Sequence, residues 1–219
     1  IGGYFNNTDM VGGTNTVVAT STGSEDIMTV AATASVANVA LDGWYLDRDG
    51  VYDVYTLGAS TTIQGVSAYI RHTALDQDNA STDDSLTKLG AKAKFGIVGV
   101  GADYGWTNKE GGIAAEDSDA KTGFQGWGLD LNAKADTSLL KTNVNVQINE
   151  KINLALNYNV LDQGNGAAAA QADTTDKEVY AQATYKPSAN LMTYVRFGEV
   201  QYDGDENGTR GRLHIQYNF

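Results

Sequence analysis

The chain contains no cysteine, so it can build no disulfide scaffold, thiolate metal cluster or cysteine nucleophile. Positive charge is scarce: 15 Lys+Arg stand against 27 Asp+Glu, a formal net charge of -12, which is the wrong sign for tracking a phosphate backbone and excludes nucleic-acid binding as a first reading. Helical membrane spans are missing too, because no run of about 18 apolar residues occurs; a membrane β-strand needs only about 9 to 11 residues of alternating character. The opening residues, IGGYFNNTDM, lack the basic region and apolar core of a secretory signal, so the chain is read as processed or as starting partway through a longer protein. With 42% hydrophobic and 19% charged residues, the chain is too apolar for a disordered acidic polypeptide.

What is present is period-two alternation from one end to the other. In Lys141 to Leu161, Val144, Val146 and Ile148 alternate with Asn143, Asn145 and Gln147; INEK turns the chain; then Ile152, Leu154, Leu156, Tyr158 and Val160 alternate with polar and small residues. This is a hairpin with one apolar face. Val179, Ala181, Ala183 and Tyr185 repeat the pattern, as do Leu89, Ala91, Ala93 and Phe95. Helical spacing is confined to short pieces, so the chain is all-β.

The connections take turns in length. Tight links fall near Ala37, Ala59, Gly96, Asn149 and Pro187, whereas the stretches 6–26, 73–85, 162–176 and 203–208, and the one from Asn108, are long or rich in Asp, Asn, Gly and Thr. The short DRDG link at Asp47 to Gly50 is an exception. A soluble sandwich has no reason to sort its loops by side, but an outer-membrane barrel does, with short periplasmic turns and long external loops. Strands are predicted at 27–36, 38–46, 51–60, 61–72, 86–95, 97–107, 141–148, 151–161, 177–186, 191–202 and 209–219, with 1–5 as the end of another. The fold class is therefore a transmembrane antiparallel up-and-down β-barrel, with about 11 to 12 strands in this chain. Residues 126–134, GWGLDLNAK, alternate but break the parity of sides. Residues 108–138 are accordingly read as one long external loop, containing extended structure, that folds into the pore and narrows it.

The last strand reads TRGRLHIQYNF, with Leu213, Ile215, Tyr217 and Phe219 on one face. A terminal aromatic closing such an alternation resembles the signal by which the barrel assembly machinery recognises outer-membrane barrels, although His214 stands where a Gly is usual. WYLDRDGVYDVYTLGASTTIQGVSAYIRHTALDQD, YKPSANLMTYVRF and RGRLHIQYNF together resemble the epsilonproteobacterial major outer-membrane porins of the Opr type, over about Val39 to Phe219. The resemblance implies a trimeric barrel of about 18 strands, of which residues 1–219 would be a single-domain C-terminal portion. The alternative is a complete barrel of about 10 to 12 strands.

In such a barrel the polar face lines water. The predicted pore-lining set is Asp42, Arg71, Lys88, Lys92, Lys94, Asp103, Glu178, Lys186, Arg196 and Arg212, with Arg210 beside them. Basic and acidic stretches of wall would create a transverse field that orients small solutes. Tyr45, Tyr55, Tyr104, Trp106, Trp127, Tyr158, Tyr185, Tyr217 and Phe219 are read as interfacial girdles. The acid excess sits in the long loops, so the rim is expected to favour cations weakly to moderately, against the wall cations. Glu116, Asp117 and Asp119 offer oxygen ligands suited to Ca²⁺ but lack EF-hand spacing, so a candidate metal site stands beside the plainer reading of a solvated acidic loop.

Catalysis finds no support. His72 falls on the lipid-facing register and His214 on the inward one, and no GxSxG or close His pair occurs. The glycines of GIVGVGADYG lie inside a strand and open no helix. No cofactor is required. The expected function is passive diffusion of ions and small hydrophilic solutes; the expected partners are outer-membrane lipid, lipopolysaccharide, the assembly machinery and two further copies of the chain. A smaller substrate-selective channel and an acidic carbohydrate-binding β-sandwich are the alternatives.

Overall fold

The computed structural model describes residues 2–5, 26–78, 83–112, 122–164 and 173–219. They form one antiparallel sheet in chain order: β1 (Gly2–Phe5), β2 (Ile27–Val36), β3 (Val39–Arg48), β4 (Tyr52–Ile63), β5 (Val66–Gln77), β6 (Asp83–Phe95), β7 (Val98–Thr107), β8 (Thr137–Gln147), β9 (Ile152–Gln163), β10 (Thr174–Tyr185), β11 (Leu191–Gln201) and β12 (Gly208–Tyr217). Each strand pairs with its sequence neighbours, and among the described residues no helix forms. This is the up-and-down architecture that the alternation predicted. β1 and β12, at the two ends of the sheet, each pair with one described neighbour, β2 and β11.

The turns explain where the strands stop. Ala37 (φ 51°) reverses the chain between β2 and β3, and Gly96 (φ 59°) does so between β6 and β7. The β4 to β5 turn corrects the sequence reading, which put it at Ala59. It lies at Gln64 and Gly65, with φ of 50° and 83°, the two successive positive values that suit a tight hairpin. β4 and β5 are therefore both displaced from the predicted 51–60 and 61–72. β8 begins at Thr137 rather than 141, because Leu139 is wholly buried on the inward face. Residues 126–134 form no strand; their one ladder contact is the isolated bridge Gln125 to Asp130.

Register assigns the faces, since partners across an antiparallel pair point to the same side. One row runs Leu41, Ala59, Ile70, Leu89, Tyr104, Leu140, Val160 across β3 to β9. A second runs Val100, Val144, Leu156, Ala181, Phe197. These apolar rows are exposed: Leu156 at 56% and Phe197 at 64%. Soluble proteins do not leave apolar bands of this extent open to water, so this face is the lipid-facing exterior.

Burial is found on the other face. Leu86, Leu139, Leu161 and Val200 project inward and pack with Phe124, Leu129 and Leu131 from the segment between β7 and β8. The hydrophobic core of the described structure thus lies inside the curve of the sheet, between wall and loop.

Candidate channel lumen and rim

Residues 122–135 return along the inward face. At the root of this segment Thr107 and Thr137 are tied together: the Thr107 hydroxyl donates to Thr137 O (3.2 Å), and the Thr137 N–H donates to Thr107 Oγ1 (3.0 Å). Within the segment, Gly126 N–H reaches Leu129 O (2.6 Å) and Leu131 N–H reaches Phe124 O (3.0 Å), which folds it on itself. Burying each of Phe124, Leu129 and Leu131 is worth about 1.5 to 3 kcal/mol relative to exposure. Gly105 makes room, since a methyl there would lie 2.7 Å from Phe124 Cδ1 and 3.1 Å from Leu131 Cδ1.

The wall opposite the loop is polar and ordered in rings. One inward row is Tyr69, Gly90, Asp103, Lys141, Asn159, Glu178, Val200. The next is Lys92, Gly101, Asn143, Asn157, Tyr180, Gly198, Arg210. A third contains Lys94, Gly99, Asn145, Ala155, Gln182, Arg196 and Arg212. Between them and the loop lies a recess of 1190 Å³, bordered among others by Lys92, Lys94, Lys141, Asp103 and Arg196.

Every strand residue of the predicted pore-lining set falls on this inward register. Asp42 and Arg71 form a two-pronged ion pair, Nη2 donating at 2.7 and 2.6 Å to the two carboxylate oxygens. Gly58 stands between them in the ladder and lets the guanidinium cross. Gly90 plays the same part between Tyr69 and Asp103, whose hydroxyl-to-carboxylate bond is 2.9 Å. Lys88 donates to Gly123 O (2.6 Å), and Glu178 accepts from the Asn159 side chain (2.8 Å) and Trp127 N–H (3.2 Å). Arg196 donates to Gln182 Oε1 (2.8 Å) and has Trp127, Tyr180 and Tyr194 about it, with ring centroids at 5.2, 4.9 and 5.3 Å. Arg212 is its direct cross-strand partner. Lys186 follows β10, its N–H bonded to Lys151 O (2.8 Å).

The sequence reading missed Lys141 on the same wall. Its ammonium donates to Gln125 O (3.2 Å) and lies 4.2 Å from the Phe124 ring centroid. The alternation that placed Asn143 and Asn145 inward puts Lys141 there as well. Trp127 corrects the girdle assignment: it belongs to the inward segment and meets Tyr180 edge-on at 5.3 Å. Tyr45, Tyr55, Tyr104, Trp106 and Tyr158 are on the outward face, consistent with an aromatic belt. His72 is outward and contacts Thr87 Oγ1 (2.7 Å), whereas His214 is inward and stacks on Tyr194 at 4.8 Å. Leu213, Ile215 and Tyr217 are outward and exposed, and Phe219 follows beyond β12. Glu116, Asp117 and Asp119 lie outside the described residues.

Beyond the outward aromatic row, the rim carries four carboxylates in one ladder: Asp47 faces Asp53, Asp53 faces Asp76, and Asp76 faces Asp83. Like charges directly opposite repel. The Asp83 charge holds the Asp76 carboxyl above its ordinary range; desolvation, then the Asp53 charge, raises Asp47.

No family model and no curated protein matches this chain. Solved structures do. Pseudomonas aeruginosa OccK10 (OpdN) superposes with a TM-score of 0.71 at 14% identity, over 90% of this chain and 62% of that one. OccK3 (OpdO) of the same organism gives 0.69 at 15%, over 88% and 56%, and its outer membrane protein opdK gives 0.69 at 11%, over 89% and 57%. The likeness defines the class by fold: part of a porin-type β-barrel. The chain spans roughly three fifths of the length of the barrels it matches.

Proposed function

We propose that this chain forms part of the wall of a bacterial outer-membrane channel that passes ions and small hydrophilic solutes by diffusion, with no covalent chemistry. The observation that carries this reading is the inversion of burial: apolar rows are exposed outside, while charges and amides face a recess narrowed by an inward loop. The acidic rim concentrates cations at the mouth and gives a weak cation bias, opposed by the wall cations. Membership of the epsilonproteobacterial major porins rests on the hairpin pattern of Val39 to Phe219. Trimer formation and use of Phe219 by the assembly machinery are part of the same proposal.

One observation favours a second reading, a solute-selective channel. Lys92, Lys94, Lys141 and Arg196 border the recess while Asp103 is engaged by Tyr69, so the narrow zone presents positive charge to solutes that carry an anionic group. Planar-bilayer conductance and zero-current potential under a KCl gradient test both. Ohmic steps with a cation-biased potential support diffusion through an acidic mouth. An anion-biased potential supports the selective wall, and folded protein that does not conduct refutes the channel.

A further inference from the structure

Glu178 is 1% exposed, and its Oε1 atom is buried without a hydrogen-bond partner. The other oxygen, Oε2, accepts from Asn159 on the neighbouring strand and from the backbone N–H of Trp127 on the inward loop. A neutral side chain would also supply that single acceptor. What the carboxylate adds is charge, which makes hydrogen bonds from N–H donors roughly twice as strong, at the desolvation cost of a buried ion with an oxygen to spare. The ladder around Glu178 is mixed in charge. Lys141 and Asp103 share its row, Arg210 lies in the next row, Arg196 in the row beyond, and Tyr180 is two residues along β10. The loop meets this point with a glycine, because a methyl at Gly126 would lie 2.6 Å from Asn159 Nδ2 and 2.8 Å from Glu178 Oε2.

We propose that Glu178 is the latch of the inward loop, a positioning residue whose carboxylate holds Trp127 against the wall and so sets the aperture. Trp127 in turn covers Arg196 and abuts Tyr180, so release of the latch also uncovers the guanidinium. The Phe124, Leu129 and Leu131 cluster keeps the loop inside the barrel; the latch decides where its Trp127 end sits. The inference rests on the channel reading and deepens it.

The test uses the natural chain purified from outer membranes, with Trp44→Phe, Trp106→Phe and Phe at any tryptophan outside residues 1–219, so that Trp127 is the single tryptophan. Glu178→Gln is expected to raise acrylamide quenching of Trp127 at least threefold and to turn one conductance level into flickering between levels, with the gel shift on boiling unchanged. Gly126→Ala drives the loop off an intact carboxylate and should do the same, and the double variant should be no worse than the more severe single one, since both break one contact. Quenching within 1.2-fold of the parent in both variants overturns the latch. So does release in Gly126→Ala alone, which would mean that shape holds the loop and charge does not. Fluorescence decides this whether or not the protein conducts, so failure of the channel and failure of the latch are separate results.

Discussion

Replacing Gly58 by alanine isolates the Asp42–Arg71 ion pair without touching either partner. A methyl at Gly58 would collide with Arg71 Nη2 and lie 2.6 Å from its Cζ and 3.0 Å from Asp42 Oδ1. The colliding group is the tip of a long side chain, so the guanidinium can swing away and the ladder can stay intact. What is lost is the two-pronged contact. Removing one partner of a fully buried pair costs about 3 to 5 kcal/mol, and exposed pairs are worth about 0 to 1 kcal/mol. Here the side chains are 10% and 20% exposed, an intermediate case. Gly58→Ala should cost about 1 to 2 kcal/mol, because the displaced charges reach lumen water. Asp42→Ala should cost about 2 to 3 kcal/mol, because it leaves Arg71 inward with the Thr56 hydroxyl at 3.1 Å. Urea unfolding of bilayer-reconstituted protein measures both. The decisive quantity is the double variant: if Gly58 matters by letting the pair form, Gly58→Ala adds less than about 0.5 kcal/mol once Asp42 is gone. Full additivity would refute the reasoning and assign the cost of Gly58→Ala to the backbone.

Three further outcomes are expected. Gly90→Ala should separate Tyr69 from Asp103, whose bond crosses that glycine; a stability loss of about 1 kcal/mol that disappears in a Tyr69→Phe background would bear this out, and persistence of the full loss would not. At the rim, Asp47 and Asp76 have raised carboxyls, so they take up protons at a higher pH than an ordinary aspartate does. Cation bias in the zero-current potential should therefore weaken as pH falls, with an onset at higher pH than in an Asp47→Asn, Asp76→Asn variant, and the same onset in both would contradict it. Stability runs the opposite way: the folded state binds these protons more tightly than the unfolded chain, so stability falls as pH rises through the raised values. Deleting Phe219 should lower the amount of folded protein in outer membranes several-fold while leaving the refolded protein's urea midpoint nearly unchanged. Equal accumulation would remove the assembly role.

Which parts of this were legible in the sequence follows from what a period of two can encode. Alternation assigns each residue to a face once the strand is known, and so Asp42, Arg71, Asp103 and Glu178 could all be placed inward. It contains nothing about which inward residues meet, because that depends on register between strands. The Arg71 to Asp42 contact joins residues on β5 and β3 across a glycine of β4, and Gly58 drew attention only as part of a turn signal. That signal misplaced the turn: Gly58 and Gly65 both offer a turn glycine, and the pair Gln64–Gly65 prevailed because there, and not at Gly58 and Ala59, the backbone has two successive positive φ values. The loop shows the limit from the other side. Leu129 and Leu131 alternate like a strand, which made GWGLDLNAK look extended, yet both are buried against Leu86, Leu139, Leu161 and Val200. Their periodicity reflects a loop folded against an inner wall, and an apolar patch on that wall was itself hidden. On β6, β8 and β9 its leucines occupy positions where alternation predicts polar residues for a water-filled interior. An apolar residue on the inward register near the external end of a strand is therefore the sequence signal for a loop that turns inward, and four of them converge here on one loop.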